Sequence, residues 1–179
     1  MLDRNNAALV VIDYQERLLP KIHGAEAVTE QAIKLIRFAR ELDIPILWTE
    51  QYPKGLGHTV ETVAAELRGK TPIEKTAFGC LGDTNFATAV DNTGRKQLLL
   101  TGIEAHICVM QTALLALEKN YAVFIPRDAV GSRFPNEYDA GLSRLERAGA
   151  EIVTTEMAIF EMLREAGTPE FKKALPLIK

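Results

Sequence analysis

Residues 97–109, QLLLTGIEAHICV, join the end of an apolar run to the start of an amphipathic stretch. The first five residues are apolar enough to form a strand that is covered on both faces. From Ile107 to Leu117, apolar residues recur at intervals of three and four, which is helical spacing. This stretch therefore predicts a buried strand that passes directly into a helix.

The rest of the chain repeats this alternation. Further strands are predicted at residues 7–12, 45–48, 71–75, 122–125 and 151–154. Helices are predicted at residues 25–42, 60–67, 85–92, 136–148 and 156–166, with a short one after Pro169. Strands that alternate with helices favour a single layered α/β domain with right-handed crossovers over residues 1–179.

Composition excludes several classes of function. The net charge is -3, and basic residues are mixed with acidic ones, so we expect no nucleic-acid partner. No apolar run approaches the roughly 18 residues that span a bilayer, and residues 1–6 lack a signal segment, which favours the cytoplasm and no membrane partner. In that reducing compartment, Cys80 and Cys108 are expected to be thiols.

Three ionisable side chains fall at predicted strand ends, where ligands bind in open parallel sheets. Asp13 follows the first strand, Lys75 ends the third, and Cys108 follows the fourth. Each has an ordinary alternative: a helix cap or an ion-pair partner for Asp13, a solvated charge for Lys75, and a small core residue for Cys108. A thiol in the first helical turn faces the positive end of the helix dipole, so we expect the thiolate to be favoured.

A thiol nucleophile needs a proton acceptor and a cation nearby. Asp13 and Lys75 supply these two groups if the first and fourth strands are neighbours. Together the three residues predict a site for nucleophilic catalysis by Cys108.

Three motifs carry a resemblance to a known family. Residues 10–15 (VVIDYQ), 74–78 (EKTAF) and 101–109 (TGIEAHICV) resemble, in order and separation, the signatures of the isochorismatase-like cysteine hydrolase superfamily. Residues 49–53 and 160–171 are similar to its isochorismatase domain-containing branch, whose members mostly have unassigned substrates. The resemblance extends over nearly the whole chain.

The resemblance implies a three-layer α/β/α, Rossmann-like fold with a six-stranded parallel sheet in the order 3-2-1-4-5-6. It also implies that Asp13 takes the proton from Cys108 and that Lys75 stabilises the thiolate and its neighbouring carboxylate. A cis peptide bond between Ile103 and Glu104 would aim the amides of Glu104 and Cys108 at one point, as an oxyanion hole. Members of the superfamily are often dimeric or larger, so a homo-oligomer, a dimer or a tetramer, is expected.

The histidines depart from the metal-binding members of the superfamily. Nicotinamidases bind a metal through an Asp-x-His pair and a second histidine after the second strand, and residues 48–58 contain no such pair. His58 is expected in a loop, and His106 is expected to be a wall residue of the site, with a ligand role as the alternative. We therefore predict no metal and no cofactor. Cys108 also argues against the reaction of true isochorismatases, which act on a vinyl ether and lack this cysteine.

The remaining candidates concern a small-molecule substrate. The predicted substrate-binding residues are Gln15, Trp48, Tyr52, Phe78 and His106. For the three aromatic residues core packing is the alternative, and for Gln15 it is an ordinary role at a helix start. Cys80 follows the Lys75 motif and either fills the core or lines the pocket.

These observations predict a cysteine hydrolase that acts on a small amide or related C–N substrate through a thioester. One alternative is a non-catalytic protein in which the Cys108 thiol senses oxidants or alkylating agents. Another is a structural part of an oligomer, with an interface near residues 159–163.

Overall fold

The computed structural model describes residues 1–178, which form one sheet with helices on both faces. The strands are β1 (Ala7–Ile12), β2 (Ile46–Gln51), β3 (Ile73–Lys75), β4 (Gln97–Ile103), β5 (Ala122–Pro126), β6 (Val130–Gly131) and β7 (Glu151–Val153). The α-helices are α1 (Ala25–Glu41), α2 (Pro53–Leu56), α3 (Glu61–Ala64), α4 (Thr84–Asn92), α5 (Met110–Glu118), α6 (Pro135–Ala148), α7 (Thr155–Leu163) and α8 (Pro169–Ile178).

The strand order is β3-β2-β1-β4-β5-β7, and every pair is parallel. The predicted α/β class and strand order are confirmed, with β7 in the place of the sixth predicted strand. The chain reverses direction across the sheet between β1 and β4, which lie side by side with Ile12 opposite Gly102. The carboxyl ends of these two strands form the point at which such sheets bind ligands.

The prediction of six strands is wrong, because the sheet has a seventh, short strand, β6. β6 has two residues and pairs with Gly102 and Ile103 of β4. β5 pairs only with the first part of β4, as far as Leu99, so β6 takes over as the neighbour of its carboxyl end. Two residues are too few to produce a hydrophobic period, and the sequence therefore gives no sign of this strand.

Side chains of the central strands alternate between two apolar cores. In β1, Leu9 and Val11 pack in the core under α1, α7 and α8, whereas Val10 and Ile12 pack in the core under α4, α5 and α6. Apolar residues on both faces of the strand explain why its sequence is a continuous apolar run. We call the second of these layers the α5 face of the sheet; it includes Cys108.

Gly102 allows β1 and β4 to approach each other at their carboxyl ends. Its φ of 150° lies in a region that other residues rarely adopt. A Cβ atom at this position would lie 2.4 Å from the carbonyl oxygen of Ile12. The glycine is thus required by the packing of the two strands that lead to the candidate site.

One expectation about a helix needs correction, since α7 ends at Leu163 and not at residue 166. Ile159, Met162 and Leu163 are buried in the core and are not available for the predicted interface near residues 159–163, whereas Phe160 is 44% exposed. That interface stays a prediction. No helix within residues 1–178 has the length and apolar character needed to cross a membrane.

The stripe of apolar residues from Ile107 to Leu117 is not the face of α5 that packs most deeply. Val109, Ala113 and Ala116 are fully buried, whereas Ile107 and Leu117 are half-buried at the edge of the same core. Small residues face the sheet, so the helix lies close to it. Larger apolar side chains are left partly open to solvent.

Candidate active site

Asp13 lies just beyond the carboxyl end of β1. Its amide donates to the carbonyl of Thr49 (3.3 Å), which extends the pairing with β2 by one residue. Its φ of 58° is left-handed, a conformation that aspartate adopts more readily than most residues. The side chain is completely buried. The turn therefore leaves a carboxylate inside the protein, at the end of the sheet.

Lys75 ends β3 and reaches across β2 to this carboxylate. Its Nζ donates to Asp13 Oδ2 (2.8 Å) and to Gln51 Oε1 (2.6 Å). It also approaches the carbonyl oxygens of Ala77 (3.3 Å) and Phe78 (3.2 Å). Burial favours the neutral amine, but the combined negative charges around it, that of Asp13 above all, hold the pKa of Lys75 above its ordinary value. Lys75 is thus a fixed cation that is saturated with acceptors.

Thr49 holds the other oxygen of the Asp13 carboxylate. Its Oγ1 donates to Asp13 Oδ1 at 2.8 Å. A buried carboxylate is stable only when its oxygens have partners, and here a hydroxyl and an ammonium provide them. The geometry leaves Asp13 oriented toward the neighbouring strand end, where Cys108 lies.

Cys108 lies in a π-helical turn, Ala105–Val109, between β4 and α5. The carbonyl oxygen of Glu104 accepts from the amides of Ile107 (3.0 Å) and Val109 (3.2 Å), and the second bond spans five residues, as in a π-helix. The Cys108 residue is 5% exposed, and its thiol lies close enough to Asp13 and Lys75 for both charges to act on its pKa. Thiol, carboxylate and ammonium thus lie in one cluster.

The expectation that Cys108 favours its thiolate is wrong for the resting protein. Burial, together with the negative charge of Asp13, raises the pKa of the Cys108 thiol well above its ordinary value, although Lys75 opposes them. The helix-dipole argument omits both effects. The resting site therefore contains a neutral thiol next to the Asp13–Lys75 ion pair.

Glu104 precedes the Cys108 turn, and the peptide bond between Ile103 and Glu104 is cis. Its buried carboxylate accepts from the backbone amide of Arg133 (2.9 Å) and from Arg133 Nε (3.0 and 3.1 Å). The chain segment after β6 is thereby tied to the start of the turn. The role of the Glu104 and Cys108 amides as an oxyanion hole stays a prediction.

Gln15 holds a loop. Its Nε2 donates to the carbonyl oxygens of Gln51 (3.0 Å) and Gly57 (2.7 Å), and its Oε1 accepts from the Gln51 amide (2.7 Å). These contacts fasten residues 52–57 to the end of β2. The Gln15 amide donates to the Asp13 carbonyl (2.7 Å), but the Gln15 side chain bonds to Gln51 and Gly57 instead of the Asp13 carboxylate, so we regard it as a residue that positions this loop.

Trp48 lies on the face of the sheet opposite Cys108. It packs in the core under α1, and its Nε1 donates to Thr59 Oγ1 (2.8 Å). Thr59 in turn binds the buried carboxylate of Glu50 through its amide (2.7 Å) and its hydroxyl (2.8 Å). We therefore leave Trp48 out of the proposed substrate site.

Tyr52 and Phe78 lie at the surface near Lys75, and each is 55% exposed. Tyr52 borders a cleft of about 330 Å³ that is also lined by Glu74, Lys75 and Asp83. The Phe78 carbonyl contacts Lys75, while its ring faces solvent. Both aromatics are available to a ligand that approaches the lysine side of the cluster.

His106 lies on the other side of the Cys108 turn. Its Nδ1 is 2.9 Å from Ser132 Oγ, and its Nε2 is 3.9 Å from a Glu137 carboxylate oxygen. Its backbone packs closely against Gly141 of α6. The role of His106 as a wall residue of the site stays a prediction. Within residues 1–178, no group of three or more His, Cys, Asp or Glu side chains has the arrangement of a metal site.

Sequence reasoning missed Thr49, Gln51 and Thr112. The first two lie in β2, which continues to Gln51 beyond its predicted end at residue 48. Thr112 donates to the carbonyl of Cys108 (2.6 Å) and accepts from the amide of Cys80 (2.9 Å). Buried polar residues at a strand end are the signal that could have found the first two.

A family model, similar sequences and solved structures all relate this chain to the same family. The family model described as Isochorismatase domain matches residues 7–157. Isochorismatase family protein 1B of Dictyostelium discoideum is 38% identical over 177 residues, which cover 97% of this chain and 86% of that protein.

Solved structures share the fold. The structure described as MAR1 ribonuclease from Caenorhabditis elegans has a TM-score of 0.92 and 36% identity, covering 99% of this chain and 91% of that one. YcaC from Escherichia coli, described as an octameric hydrolase of unknown specificity, has a TM-score of 0.89 and 25% identity, covering 98% and 91%. Because the family model matches most of the length of this chain, the chain belongs to the isochorismatase family.

Proposed function

We propose that this chain is a cysteine-dependent hydrolase that acts on a small amide or a related C–N substrate through a thioester. The observation that carries the proposal is the buried Asp13–Lys75 pair, 2.8 Å apart, beside the Cys108 thiol. A buried ion pair costs desolvation free energy. Its presence at the carboxyl ends of the strands, next to a nucleophile, therefore supports a catalytic role.

Attack would begin from the neutral thiol. As the Cys108 sulfur bonds to the substrate carbonyl carbon, its proton moves to Asp13, and backbone amides of Glu104 and Cys108 hold the oxyanion. The C–N bond then breaks, and protonated Asp13 gives the proton to the leaving amine. Water, deprotonated by Asp13, attacks the thioester and releases the acid, which regenerates the thiol.

Lys75 contributes charge and does not transfer protons in this scheme. Its pKa is raised, so it remains an ammonium throughout. It keeps Asp13 oriented and attracts the developing thiolate. When Asp13 becomes protonated, Lys75 is left as the nearest partner for any negative charge on sulfur.

A hydrolase activity has support at the family level, since the E. coli relative is described as a hydrolase. The C. elegans relative carries the name ribonuclease. We do not extend that activity to this chain. Its net charge is -3, and the lysine of the site is buried and bound to Asp13, so Lys75 is not available to bind RNA phosphates.

We also propose a homo-oligomer. The E. coli relative is described as octameric. In this chain, large apolar side chains of the Cys108 turn and α5 are half-exposed and form a candidate contact surface: Ile107, Met110, Leu114 and Leu117. Sedimentation of the wild type and of Leu114→Glu tests this, because a charge in the contact should dissociate the assembly. The cytoplasmic location stays a prediction.

A screen of small amides tests the hydrolase. We expect Cys108→Ala to abolish turnover and Cys80→Ala, the matched thiol control, to retain it. Intact mass during turnover should show an acyl adduct on the wild type. Iodoacetamide should label Cys108 ahead of Cys80, because Cys80 has no exposed surface.

Equal labelling of both thiols, together with amide turnover by Cys108→Ala, would reject the proposal. Covalent adducts without any turnover would favour the alternative of a thiol sensor. Cleavage of RNA by the wild type but not by Cys108→Ala would replace the amide with a phosphodiester as the substrate class.

A further inference from the structure

A second thiol lies beside the candidate site and has no part in the hydrolase scheme. Cys80 begins the 3₁₀ turn Cys80–Gly82 and is fully buried in the α5 face of the sheet, the same core in which Cys108 lies. Both cysteines are free. The segment before Cys80 is anchored at the site, since the carbonyls of Ala77 and Phe78 contact Lys75.

One chain of contacts joins Cys80 to Cys108, and a second joins Cys80 to the carboxylate of Asp13. Along the backbone, a single atom, Thr112 Oγ1, accepts from the Cys80 amide (2.9 Å) and donates to the Cys108 carbonyl (2.6 Å). Along the side chains, Cys80 Sγ lies 3.9 Å from Thr49 Oγ1, which donates to Asp13 Oδ1, and the charge of Asp13 acts on the Cys108 thiol as well. The two thiols thus flank the same carboxylate.

The two thiols differ in access. Cys108 is 5% exposed, whereas Cys80 has no exposed surface. An oxidant from solvent would therefore reach Cys108 first. Burial raises the pKa of the Cys80 thiol to about 11 and also raises that of Cys108, so both are neutral thiols in the resting protein, and access decides which one reacts first.

We propose that Cys80 is the resolving thiol for oxidised Cys108, so that a hydroperoxide inactivates the site reversibly through a Cys80–Cys108 disulfide. In the first step, the Cys108 sulfur takes one oxygen from the hydroperoxide, which is reduced to water or an alcohol, and becomes a sulfenic acid. In the second step, the Cys80 sulfur attacks the Cys108 sulfur, an S–S bond forms, and hydroxide leaves with the Cys80 proton as water. Asp13, next to both thiols, is placed to accept that proton on the way.

The disulfide would protect the nucleophile. Without a resolving thiol, sulfenic acid oxidises further to sulfinic and sulfonic acids, which thiol reductants do not reverse. With Cys80 present, reduction returns both thiols and the ion pair stays in place. This inference concerns thiol chemistry alone and is independent of amide turnover.

The experiment treats the wild type, Cys80→Ala and Cys108→Ala with hydrogen peroxide and follows intact mass and free thiols before and after dithiothreitol. We expect the wild type to lose two hydrogen atoms in mass and both thiols together, and to regain both on reduction. Cys80→Ala should instead gain two or three oxygen atoms at Cys108 that dithiothreitol does not remove.

Peptide mapping of the oxidised wild type under non-reducing conditions adds a measurement that needs no variant, should Cys80→Ala fold poorly. A linked pair of peptides that contain Cys80 and Cys108 from a single chain supports the inference. Sulfinic acid at Cys108 of the wild type with Cys80 still free, or a disulfide only between chains, would overturn it.

Discussion

Lys75 Nζ lies 2.8 Å from Asp13 Oδ2, and neither side chain has any exposed surface. Each charge is the partner that makes burial of the other tolerable. Thr49 and Gln51 complete the hydrogen bonds of the pair, and within residues 1–178 no buried side-chain nitrogen or oxygen atom lacks a partner. The pair is therefore part of the packed interior of the fold as well as a feature of the proposed mechanism.

Removal of the lysine alone should destabilise the fold strongly. Lys75→Met leaves the Asp13 carboxylate buried beside apolar carbon, and we expect a loss of about 3–5 kcal/mol in the free energy of unfolding. The double variant Asp13→Asn with Lys75→Met leaves no lone charge and should recover part of this loss. Urea denaturation of Lys75→Met, Asp13→Asn and the double variant measures the coupling.

Lys70→Met is the control, because Lys70 is exposed and its loss should change stability by no more than about 0.5 kcal/mol. A double variant that is as unstable as the sum of its parts would mean that the two charges do not stabilise each other.

Asp13→Asn should make Cys108 more reactive toward iodoacetamide while it abolishes amide turnover. The charge of Asp13 raises the pKa of the Cys108 thiol, and Lys75 lowers it. Only the thiolate is alkylated, so the wild-type rate should keep rising with pH beyond the ordinary cysteine pKa of about 8.5. Removing the negative charge shifts this profile to lower pH, whereas Lys75→Met shifts it to higher pH.

The rate of carbamidomethylation as a function of pH, followed by intact mass, checks both shifts. Asparagine tolerates the left-handed backbone of position 13, so the turn should survive the change. Slower alkylation of Asp13→Asn across the pH range would contradict the assignment of Asp13 as the group that keeps the thiol neutral.

The sheet was predictable from sequence because burial on both faces produces continuous apolar runs, of which residues 7–12 match β1 in full. The polar residues at the end of β2 were not predictable in this way. Thr49 and Gln51 are polar, and polar residues after an apolar run predict the end of a strand. Here they continue β2, because their side chains bind Asp13 and Lys75 in the interior.

The three chemistry-bearing residues could be identified by their position at strand ends, but their electrostatics could not. The pKa of Cys108 depends on burial and on Asp13, a residue 95 positions earlier in the chain. The sequence motif at the helix start indicates only the effect of the local helix dipole on the Cys108 pKa. Charges brought together by the fold reverse its effect, and no spacing pattern reports them.

Gly102→Ala should destabilise the fold far more than a glycine substitution that is only conformationally strained. The new Cβ would lie 2.4 Å from the Ile12 carbonyl oxygen and 2.5 Å from Ile12 Cβ, so β1 and β4 would have to separate. We expect a loss above about 4 kcal/mol, measured by urea denaturation.

Gly149→Ala is the matched control. Gly149 also has a positive φ, 101°, but a Cβ there meets no atom within 4 Å, so its cost should be only about 1–2 kcal/mol. Similar losses for the two variants would show that backbone strain and not strand approach makes Gly102 necessary.

Arg133→Met should loosen the turn that carries Cys108. Arg133 Nε donates to the Glu104 carboxylate. The backbone carbonyl of Glu104 in turn accepts hydrogen bonds from the amides of Ile107 and Val109 in the turn. Without the guanidinium, the buried carboxylate retains only the Arg133 backbone amide. We expect a loss of about 1–2 kcal/mol in the free energy of unfolding, toward the low end because the Arg133 side chain is 44% exposed.

A purely structural role for Arg133 would leave the folded site unchanged, whereas a role in the geometry of the turn should also lower the rate of amide turnover under conditions where the variant is fully folded. Arg133→Lys, which keeps the charge but not the planar donor geometry, should recover stability only in part. Arg147→Met is the control, since Arg147 lies in the last turn of α6 and donates to Ser143 of the same helix, and it should change neither stability nor turnover. Full turnover by folded Arg133→Met would mean that Glu104 orients the Cys108 turn without its arginine, through backbone contacts alone.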